Sequence, residues 1–197
     1  MTTGSRTAFV AVVPAAGRAT RFGGGKLVVD LEGRTMLDRT LDCLLDAGAA
    51  QVVVVAADPS ELSAVLRLSD HRVRVVMNPQ PDRGMFSSIQ VGLAAIAADP
   101  QSPTLVLPGD MPFVRVETVA AVAEASTRSA GPVAPTFDGR RGHPIALPSN
   151  VIAALCSAAP ESSLKDALAA AGAHRAELPV DDPGILRDID TRDDLRR

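Results

Sequence analysis

The sequence predicts an α/β fold, with a mostly parallel β-sheet that has one antiparallel strand and helices on both faces. Short apolar, β-branched runs alternate with segments of helical apolar spacing through the first eighty residues, as in parallel strands joined by crossovers. Apolar residues make up 46% of the chain, which has no Trp or Tyr, so Ala, Val, Leu and Ile must build the core. We predict a single domain over residues 1–197, with residues 1–7 flexible.

The first half of the chain alternates strand and helix. We predict strands at its four apolar runs, residues 9–13, 51–56, 73–77 and 104–107. Apolar residues recur at helical spacing between and after these runs, which predicts helices over residues 36–47, from Asp58 to Leu66, and over residues 87–98 and 114–125. These helices would form the right-handed crossovers between parallel strands.

The second half adds a hairpin and two further helices. A strand over residues 131–137 leads through the turn Asp138-Gly139-Arg140 into a return strand over residues 142–147. This return strand is the predicted antiparallel member of the sheet. Helices over residues 150–156 and 162–171 follow, and then a last strand over residues 175–180.

Charge, hydropathy and cysteine content argue against several classes of protein. The net charge of −3 argues against binding to nucleic acid. No apolar run reaches the ~18 residues of a membrane span, and residues 1–7 lack the apolar region of a signal peptide, so we expect a cytoplasmic protein without a membrane partner. Cys43 and Cys156 fit no metal or redox spacing, and Cys43 should be a small core residue of a Leu-rich helix.

A phosphate-binding loop is predicted directly after the first strand. It combines small residues, basic side chains and three glycines, namely Pro14, Ala15, Ala16, Gly17, Arg18, Arg21, Gly23, Gly24, Gly25 and Lys26. Small residues let backbone N–H groups approach a ligand closely, and the cations neutralise its charge. A Gly-rich surface turn is the alternative. Thr20 and Leu27 break the Walker A pattern, and no register gives Gly-x-Gly-x-x-Gly.

Two further strand ends carry candidate residues. Asp110 follows the fourth strand between Gly109 and Met111-Pro112, where a rigidly held carboxylate suits Mg²⁺. The alternative is a turn aspartate that caps the next helix. Residues 78–88 form a polar loop after the third strand, where open α/β sheets bind ligands. The alternative there is a plain connection in which Ser87 or Ser88 caps the following helix.

An Asp-Ile-Asp sequence near the C-terminus offers two more carboxylates. Asp188 and Asp190 flank Ile189, so an extended backbone would place both carboxylates on one face. Asp190 could otherwise start a helix, because Thr191 and two more acids follow it and acids favour a helix N-terminus.

The remaining polar candidates are basic, and the chain lacks a recognisable nucleophile. Arg140, Arg141 and His143 cluster on the predicted hairpin, where arginines are usually solvated and a lone His is usually structural. The sequence has no Gly-x-Ser-x-Gly elbow and no Cys–His pair in a suitable local context. A phosphate loop with cations and strand-end carboxylates suits phosphoryl or nucleotidyl transfer, in which the protein mainly positions groups and stabilises charge.

Ordered motifs along nearly the whole chain resemble those of the nucleotidyltransferases related to the molybdenum-cofactor guanylyl- and cytidylyltransferases. They are Ala15-Ala16-Gly17 with Arg21-Phe22-Gly23 and Lys26; Asn78-Pro79 with Gly84-Met85 and Ser87-Ser88; Asp110-Met111-Pro112; Gly142-His143-Pro144; and Asp188-Ile189-Asp190-Thr191. The chain departs from the family pattern at Pro14, Ala19 and Arg192 and within residues 161–166. The resemblance implies a single-domain, Rossmann-like nucleotidyltransferase fold of the GT-A type.

The resemblance also implies a role for each motif. Nucleotide binding would involve Ala15, Ala16, Gly17, Arg18, Arg21, Lys26, Asn78, Gly84, Met85, Ser87 and Ser88. Catalysis would fall to Arg21, Lys26 and Asp110. Mg²⁺ would bind Asp110 and one of the two later aspartates, of which Asp188 is slightly favoured because Asp190 can serve as a cap. The acceptor would contact Arg140, Arg141 and His143.

The implied reaction moves an NMP from an NTP, with CMP from CTP favoured over GMP from GTP, to molybdopterin or molybdenum cofactor, and a molybdenum hydroxylase is a candidate partner. The acceptor phosphate would attack the α-phosphorus in line, while Arg21 and Lys26 hold the β- and γ-phosphates. This phosphate is already ionised at pH 7, so no general base is required. The alternatives are a sugar- or polyol-phosphate nucleotidyltransferase and a non-catalytic nucleotide-binding maturation factor.

Overall fold

The computed structural model describes residues 7–17, 22–96, 102–159 and 161–196. These residues form eight strands: β1 Phe9–Ala15, β2 Ala49–Ala56, β3 Val73–Met77, β4 Thr104–Val106, β5 Val133–Phe137, β6 Arg140–Arg141, β7 Ile145–Leu147 and β8 Ala176–Pro179. They also form the α-helices α1 Met36–Ala47, α2 Met85–Ala95, α3 Val116–Ser126, α4 Ser149–Ser157 and α5 Leu164–Ala170. The predicted flexible segment, residues 1–7, lies outside the described residues except for Thr7.

All eight strands belong to one sheet of order β3-β2-β1-β4-β7-β5-β6, with β8 beside β5. Strands β1 to β4 pair in parallel, and so do β5 and β8. Strand β7 runs antiparallel between β4 and β5. The predicted mostly parallel sheet with an antiparallel return strand is confirmed, and its first four strands direct their carboxyl ends to one edge.

The two faces of the sheet carry separate hydrophobic cores. Helices α1 and α3 pack on one face, with Leu41 and Val119 fully buried. Helices α2, α4 and α5 pack on the other, where Leu155 and Leu168 are at most 1% exposed. The predicted helices on both faces are therefore confirmed. No helix within the described ranges combines the length and the apolarity that a membrane crossing requires.

Two element predictions need correction. The return strand is interrupted between β6 and β7, because the His143 N–H donates to the Ile185 carbonyl and Pro144 has no N–H to donate. The helix predicted after Asp58 is instead two 3-10 turns, Pro59–Leu62 and Leu66–Ser69. The second turn is held by a 2.8 Å hydrogen bond from the Arg67 N–H to a carboxylate oxygen of Asp38.

The start of α2 also differs from the prediction. The helix begins at Met85, two residues earlier than predicted, and Gly84 rather than Ser87 or Ser88 occupies the N-cap. Gly84 has a φ of 91°, a backbone conformation that favours glycine. The predicted last residues of this helix, 97 and 98, lie outside the described residues.

Cys43 is a core residue, as predicted. Its side chain is buried in α1, and its Sγ lies 3.1 Å from the Val114 carbonyl oxygen. Burial, followed by the charge of Asp182, raises the pKa of the Cys43 thiol to about 12. The thiol therefore stays protonated at neutral pH.

Gly92 lets α2 pack closely against the sheet. A Cβ atom at this position would lie 2.3 Å from Cγ1 of Val12 and 3.1 Å from Cγ2 of Val55. We expect Gly92→Ala to lower the free energy of unfolding by about 1–3 kcal/mol, because both valines belong to the core and cannot move aside freely. Denaturant unfolding measures this, with Ala94→Ser on the exposed side of α2 as the control. A G92A protein as stable as the control would contradict the packing argument.

Candidate active site

A cleft of about 820 Å³ opens at the edge of the sheet where β1, β2 and β4 end. Its walls come from the loop after β1, the segment after β2, the start of α2 and the turn after β4. A smaller lobe of about 420 Å³ adjoins it and reaches the return strand at β6 and the residues before β7. Met85, Pro108, Asp110 and Asp190 line both spaces, so the two lobes meet at Asp110 and Asp190.

The loop after β1 forms one wall of the large lobe. Ala15, Ala16 and Gly17 line it, together with Gly24, Gly25 and Lys26. Gly23, Gly24 and Gly25 have φ values of 88°, 89° and 60°, so the turn needs a backbone that glycine adopts most readily. The predicted phosphate ligands Arg18 and Arg21 lie outside the described residues.

Lys26 is the centre of the charged group in the cleft. Its Nζ donates to Oδ2 of Asp110 at 2.8 Å and to Oδ1 of Asp190 at 2.9 Å. The lysine side chain is only 9% exposed, and those of the two aspartates are 23% and 35% exposed. Burial alone would lower the pKa of Lys26, but the hydrogen bonds and charges of Asp110, and then those of Asp190, hold it above its usual value. Lys26 is therefore protonated and positively charged at neutral pH.

Asp110 is held in place through its backbone neighbours. The Gly109 N–H donates to the Pro14 carbonyl at 3.0 Å, and the Gly109 carbonyl accepts from Oγ1 of Thr40, a buried residue of α1. The Asp110 carbonyl accepts from the Ile189 N–H at 3.1 Å. The carboxylate therefore stands on a turn fixed to β1, to α1 and to the C-terminal segment.

The C-terminal segment brings Asp190 to Lys26. Ile189 is fully buried in a small cluster with Phe22 and Met36, which ties this segment to the loop after β1. Oδ2 of Asp194 accepts from the Asp190 and Thr191 N–H groups at 3.2 and 2.8 Å. The alternative prediction made Asp190 the residue that starts a helix here. The structure shows instead that Asp194 accepts the backbone hydrogen bonds of this turn. The Asp190 side chain faces the cleft instead.

Asp188 lies further from this cation. It is exposed and lines the smaller lobe, which Asp190 also lines, so the two carboxylates do face one side. Among the residues that the structure describes, only Asp190 shares the Lys26 ammonium with Asp110. The structure thus favours Asp190 over Asp188 as the partner of Asp110, the reverse of the order favoured from the sequence.

The smaller lobe carries the three residues predicted to contact the acceptor. Arg140, Arg141 and His143 all line it. Arg141 is ion-paired with Glu177 of β8, with 2.7 Å between Nε and Oε1. Within the described residues Nδ1 of His143 is buried without a hydrogen-bond partner. Burial lowers the pKa of His143, although the Val106 carbonyl and the charge of Asp110 oppose this, so the imidazole is neutral at pH 7.

A sequence comparison identifies the family of this two-lobed site. The model of the MobA-like NTP transferase domain matches residues 11–177, which include the loop after β1 and Asp110. The chain belongs to the MobA-like NTP transferase family. It is a nucleotidyltransferase, and the resemblance stated from the motifs is confirmed.

Individual relatives of this MobA-like transferase differ in the acceptors they are named for. The chain is 24% identical over 184 residues to the molybdenum cofactor cytidylyltransferase of Escherichia coli (strain K12), across 93% of this chain and 92% of that protein. It is 36% identical over 143 residues to a 2-C-methyl-D-erythritol 4-phosphate cytidylyltransferase of Streptomyces avermitilis. That match covers 68% of this chain but only 55% of the relative, so the chain spans about half the length of that protein.

Solved structures share this fold, among them a nucleotidyl transferase from Methanothermobacter thermautotroptrophicus with a TM-score of 0.75 at 22% identity, over 98% of this chain and 96% of that one. The manganese complex of Rv0371C from Mycobacterium tuberculosis H37Rv superposes with a TM-score of 0.75 at 24% identity, over 98% of this chain and 97% of that one. The predicted Rossmann-like architecture of the MobA-like transferase is therefore confirmed.

Two residues predicted to bind nucleotide have internal partners in this MobA-like transferase. Asn78 is 2% exposed and donates from Nδ2 to the hydroxyls of Ser87 and Ser88 at 2.9 and 3.0 Å. Its Oδ1 accepts from the Gln80 N–H. Asn78 and Ser87 do not line either lobe, whereas Gly84, Met85 and Ser88 do. We therefore assign Asn78 a positioning role, because it fixes the start of α2 beneath the cleft.

The carboxylate pair of the MobA-like transferase suits Mg²⁺. Asp110 and Asp190 already share one cation, the Lys26 ammonium, so two oxygens converge on a cation position. No group of three or more His, Cys, Asp or Glu residues forms a metal site within the described ranges. Mg²⁺ is commonly held by one or two carboxylates plus substrate phosphates, so the pair fits this metal. Sequence reasoning slightly favoured Asp188 as the second metal ligand, and only the fold shows that Asp194 rather than Asp190 accepts the hydrogen bonds of the turn.

Proposed function

We propose that the protein transfers a nucleoside monophosphate from an NTP to a phosphate-bearing acceptor and releases pyrophosphate. The observation that carries this proposal is the meeting of two lobes at Asp110. One lobe bears the glycine-rich loop and Lys26, and the other bears Arg140, Arg141 and His143. An NTP in the large lobe and an acceptor in the small one would therefore bring their reacting phosphates together at the carboxylates.

The residues of the chain position these groups and supply charge. A divalent metal on Asp110 and Asp190 would neutralise the α-phosphate. The glycine-rich loop would offer backbone N–H groups to the phosphates, and Lys26 would stabilise the departing pyrophosphate. Arg21, outside the described residues, keeps its predicted role beside Lys26. The in-line attack by a phosphate requires no general base, which fits a neutral His143 that offers hydrogen bonds rather than charge.

For the acceptor we propose molybdopterin or molybdenum cofactor, with CTP as the donor. The length of the match to the Escherichia coli cytidylyltransferase and the ordered motifs of the chain support this choice. A polyol phosphate is the second candidate, favoured by the higher identity to the Streptomyces avermitilis enzyme over a shorter segment. The basic hairpin of the small lobe suits the phosphate of either acceptor. A molybdenum hydroxylase would receive the product in the first case.

Pyrophosphate release tests this proposal. Incubation with each NTP, Mg²⁺ and molybdopterin is expected to release pyrophosphate fastest with CTP, and only when the acceptor is present. Release with 2-C-methyl-D-erythritol 4-phosphate but not with molybdopterin would support the second candidate. NTP binding without release for any pair would instead indicate the non-catalytic maturation factor and contradict the transfer reaction.

A further inference from the structure

The Lys26 ammonium occupies the position between two carboxylates where the proposed metal ion would also bind. The Asp110 and Asp190 carboxylates would hold the metal in the proposed reaction, yet both accept hydrogen bonds from the Lys26 ammonium, at 2.8 and 2.9 Å. Lys26 would also be needed on the phosphates of the NTP. The ammonium and a metal ion cannot both lie between Oδ2 of Asp110 and Oδ1 of Asp190 at the same time. One of these contacts must therefore be given up during the reaction cycle.

Charge balance explains why Lys26 occupies this position. Without a cation, the two half-buried carboxylates would face each other and repel, at a cost that grows as the local dielectric falls. Lys26 offsets this repulsion with a single positive charge. A divalent cation would offer two charges to the same pair of carboxylate oxygens, the ligand type that Mg²⁺ prefers.

We propose that Lys26 and a divalent cation occupy the Asp110–Asp190 pair in alternation, and that NTP binding moves Lys26 onto the phosphates as the metal enters. This inference rests on the nucleotidyl transfer proposed above. Lys26 thereby couples the two ligands, because the phosphates attract the ammonium that blocks the metal. Such coupling is reciprocal, so metal alone binds weakly and each ligand raises the affinity of the other.

The backbone around the pair allows this exchange without refolding. Asp110 and Asp190 are fixed through the Ile189 N–H bond to the Asp110 carbonyl and through the bonds to Asp194, none of which involves Lys26. Lys26 itself begins a short 3-10 turn directly after three glycines and lines the large lobe. Its long side chain can therefore swing toward the phosphates while the carboxylates keep their place.

Mn²⁺ binding to the nucleotide-free protein tests the exchange. Lys26→Met removes the ammonium and keeps much of the side-chain volume, and we expect it to bind Mn²⁺ at least about tenfold more tightly than the wild type. The chain has one other lysine, Lys165, which is exposed on α5, so Lys165→Met is a control with the same charge change. Electron paramagnetic resonance of free Mn²⁺ gives the affinity of each variant.

Each outcome decides for or against the exchange. Unchanged or weaker Mn²⁺ binding by K26M would overturn it, and so would an equal gain in K165M. The double variant K26M/D190N should lose the gain, because one carboxylate of the pair is gone. If K26M unfolds without metal, Mn²⁺ should restore its cooperative thermal transition, and a chain that stays unfolded in millimolar Mn²⁺ would also overturn the proposal.

The proposed reaction and the exchange can fail separately. Pyrophosphate release is measured on the wild-type protein with NTP and acceptor, whereas the Mn²⁺ titration uses nucleotide-free protein. A wild-type enzyme that releases pyrophosphate while K26M shows no gain in Mn²⁺ affinity would leave the transfer reaction standing and exclude the exchange. A gain in K26M without any pyrophosphate release would contradict the transfer reaction alone.

Discussion

Asp110→Asn is expected to lower kcat for pyrophosphate release by about 10²–10³-fold, because it removes the charge that would hold a metal on the α-phosphate. Asn has the same shape as Asp, and the hydrogen bonds that fix this turn come from the backbone of Gly109 and Asp110. We therefore expect the variant to fold, with most of the loss in kcat rather than in NTP affinity. Steady-state kinetics across Mg²⁺ concentrations, together with denaturant unfolding, measure both effects.

Asp58→Asn is the matched control for this loss. Asp58 also lines the large lobe, but it follows β2, and its carboxylate accepts from the Ser60 N–H. Asn can fill the same capping role. We expect D58N to keep a kcat close to that of the wild type with an unchanged Mg²⁺ dependence. A D110N enzyme with the Mg²⁺ dependence and kcat of D58N would rule out Asp110 as the metal ligand.

The site residues that follow strands could be predicted from the sequence, because a parallel sheet collects its strand ends at one edge. Ala15 and Asp110 follow the apolar runs predicted as the first and fourth strands, and both residues line the cleft. The family resemblance then assigned them to a nucleotide and a metal. Neither assignment needed a three-dimensional contact, since local chain order fixes where a strand ends.

The residues whose role depends on distant contacts could not be predicted in this way. Asn78 was predicted to bind nucleotide, but its amide donates to the hydroxyls of Ser87 and Ser88 in the first turn of α2, which begins at Met85. The position of Asp190 depends on Asp194, which receives the N–H groups of the turn. Which groups become hydrogen-bond partners depends on how distant segments pack. The local sequence pattern does not reveal that packing.

The Asp-Ile-Asp segment shows how one residue can connect the two halves of the site. Ile189 donates its N–H to Asp110 and packs with Phe22 of the phosphate loop and with Met36 of α1. Arg192 adds a contact to the same ring, with its guanidinium carbon 5.2 Å from the centroid of Phe22. The segment therefore fixes the spacing between loop and carboxylates, while the aspartates on either side of Ile189 face the substrates.

Asp190→Asn and Asp188→Asn are expected to differ sharply, although the residues lie two positions apart. Asp190 shares the Lys26 ammonium with Asp110, so D190N should weaken Mg²⁺ activation and lower kcat by at least about tenfold. Asp188 lines only the smaller lobe, so D188N should change the KM for the acceptor and leave the Mg²⁺ dependence as in the wild type. Kinetics at varied Mg²⁺ and varied acceptor separate the two effects.

The two variants act as controls for each other, because each removes one negative charge from the same short segment. Asn at position 190 retains the N–H that Asp194 accepts, so the turn itself is expected to persist. The reverse pattern, in which D188N loses Mg²⁺ activation and D190N does not, would restore the order inferred from the sequence. It would also mean that Asp190 serves mainly to hold Lys26, since its contact with the ammonium would then have no counterpart in the metal-bound enzyme.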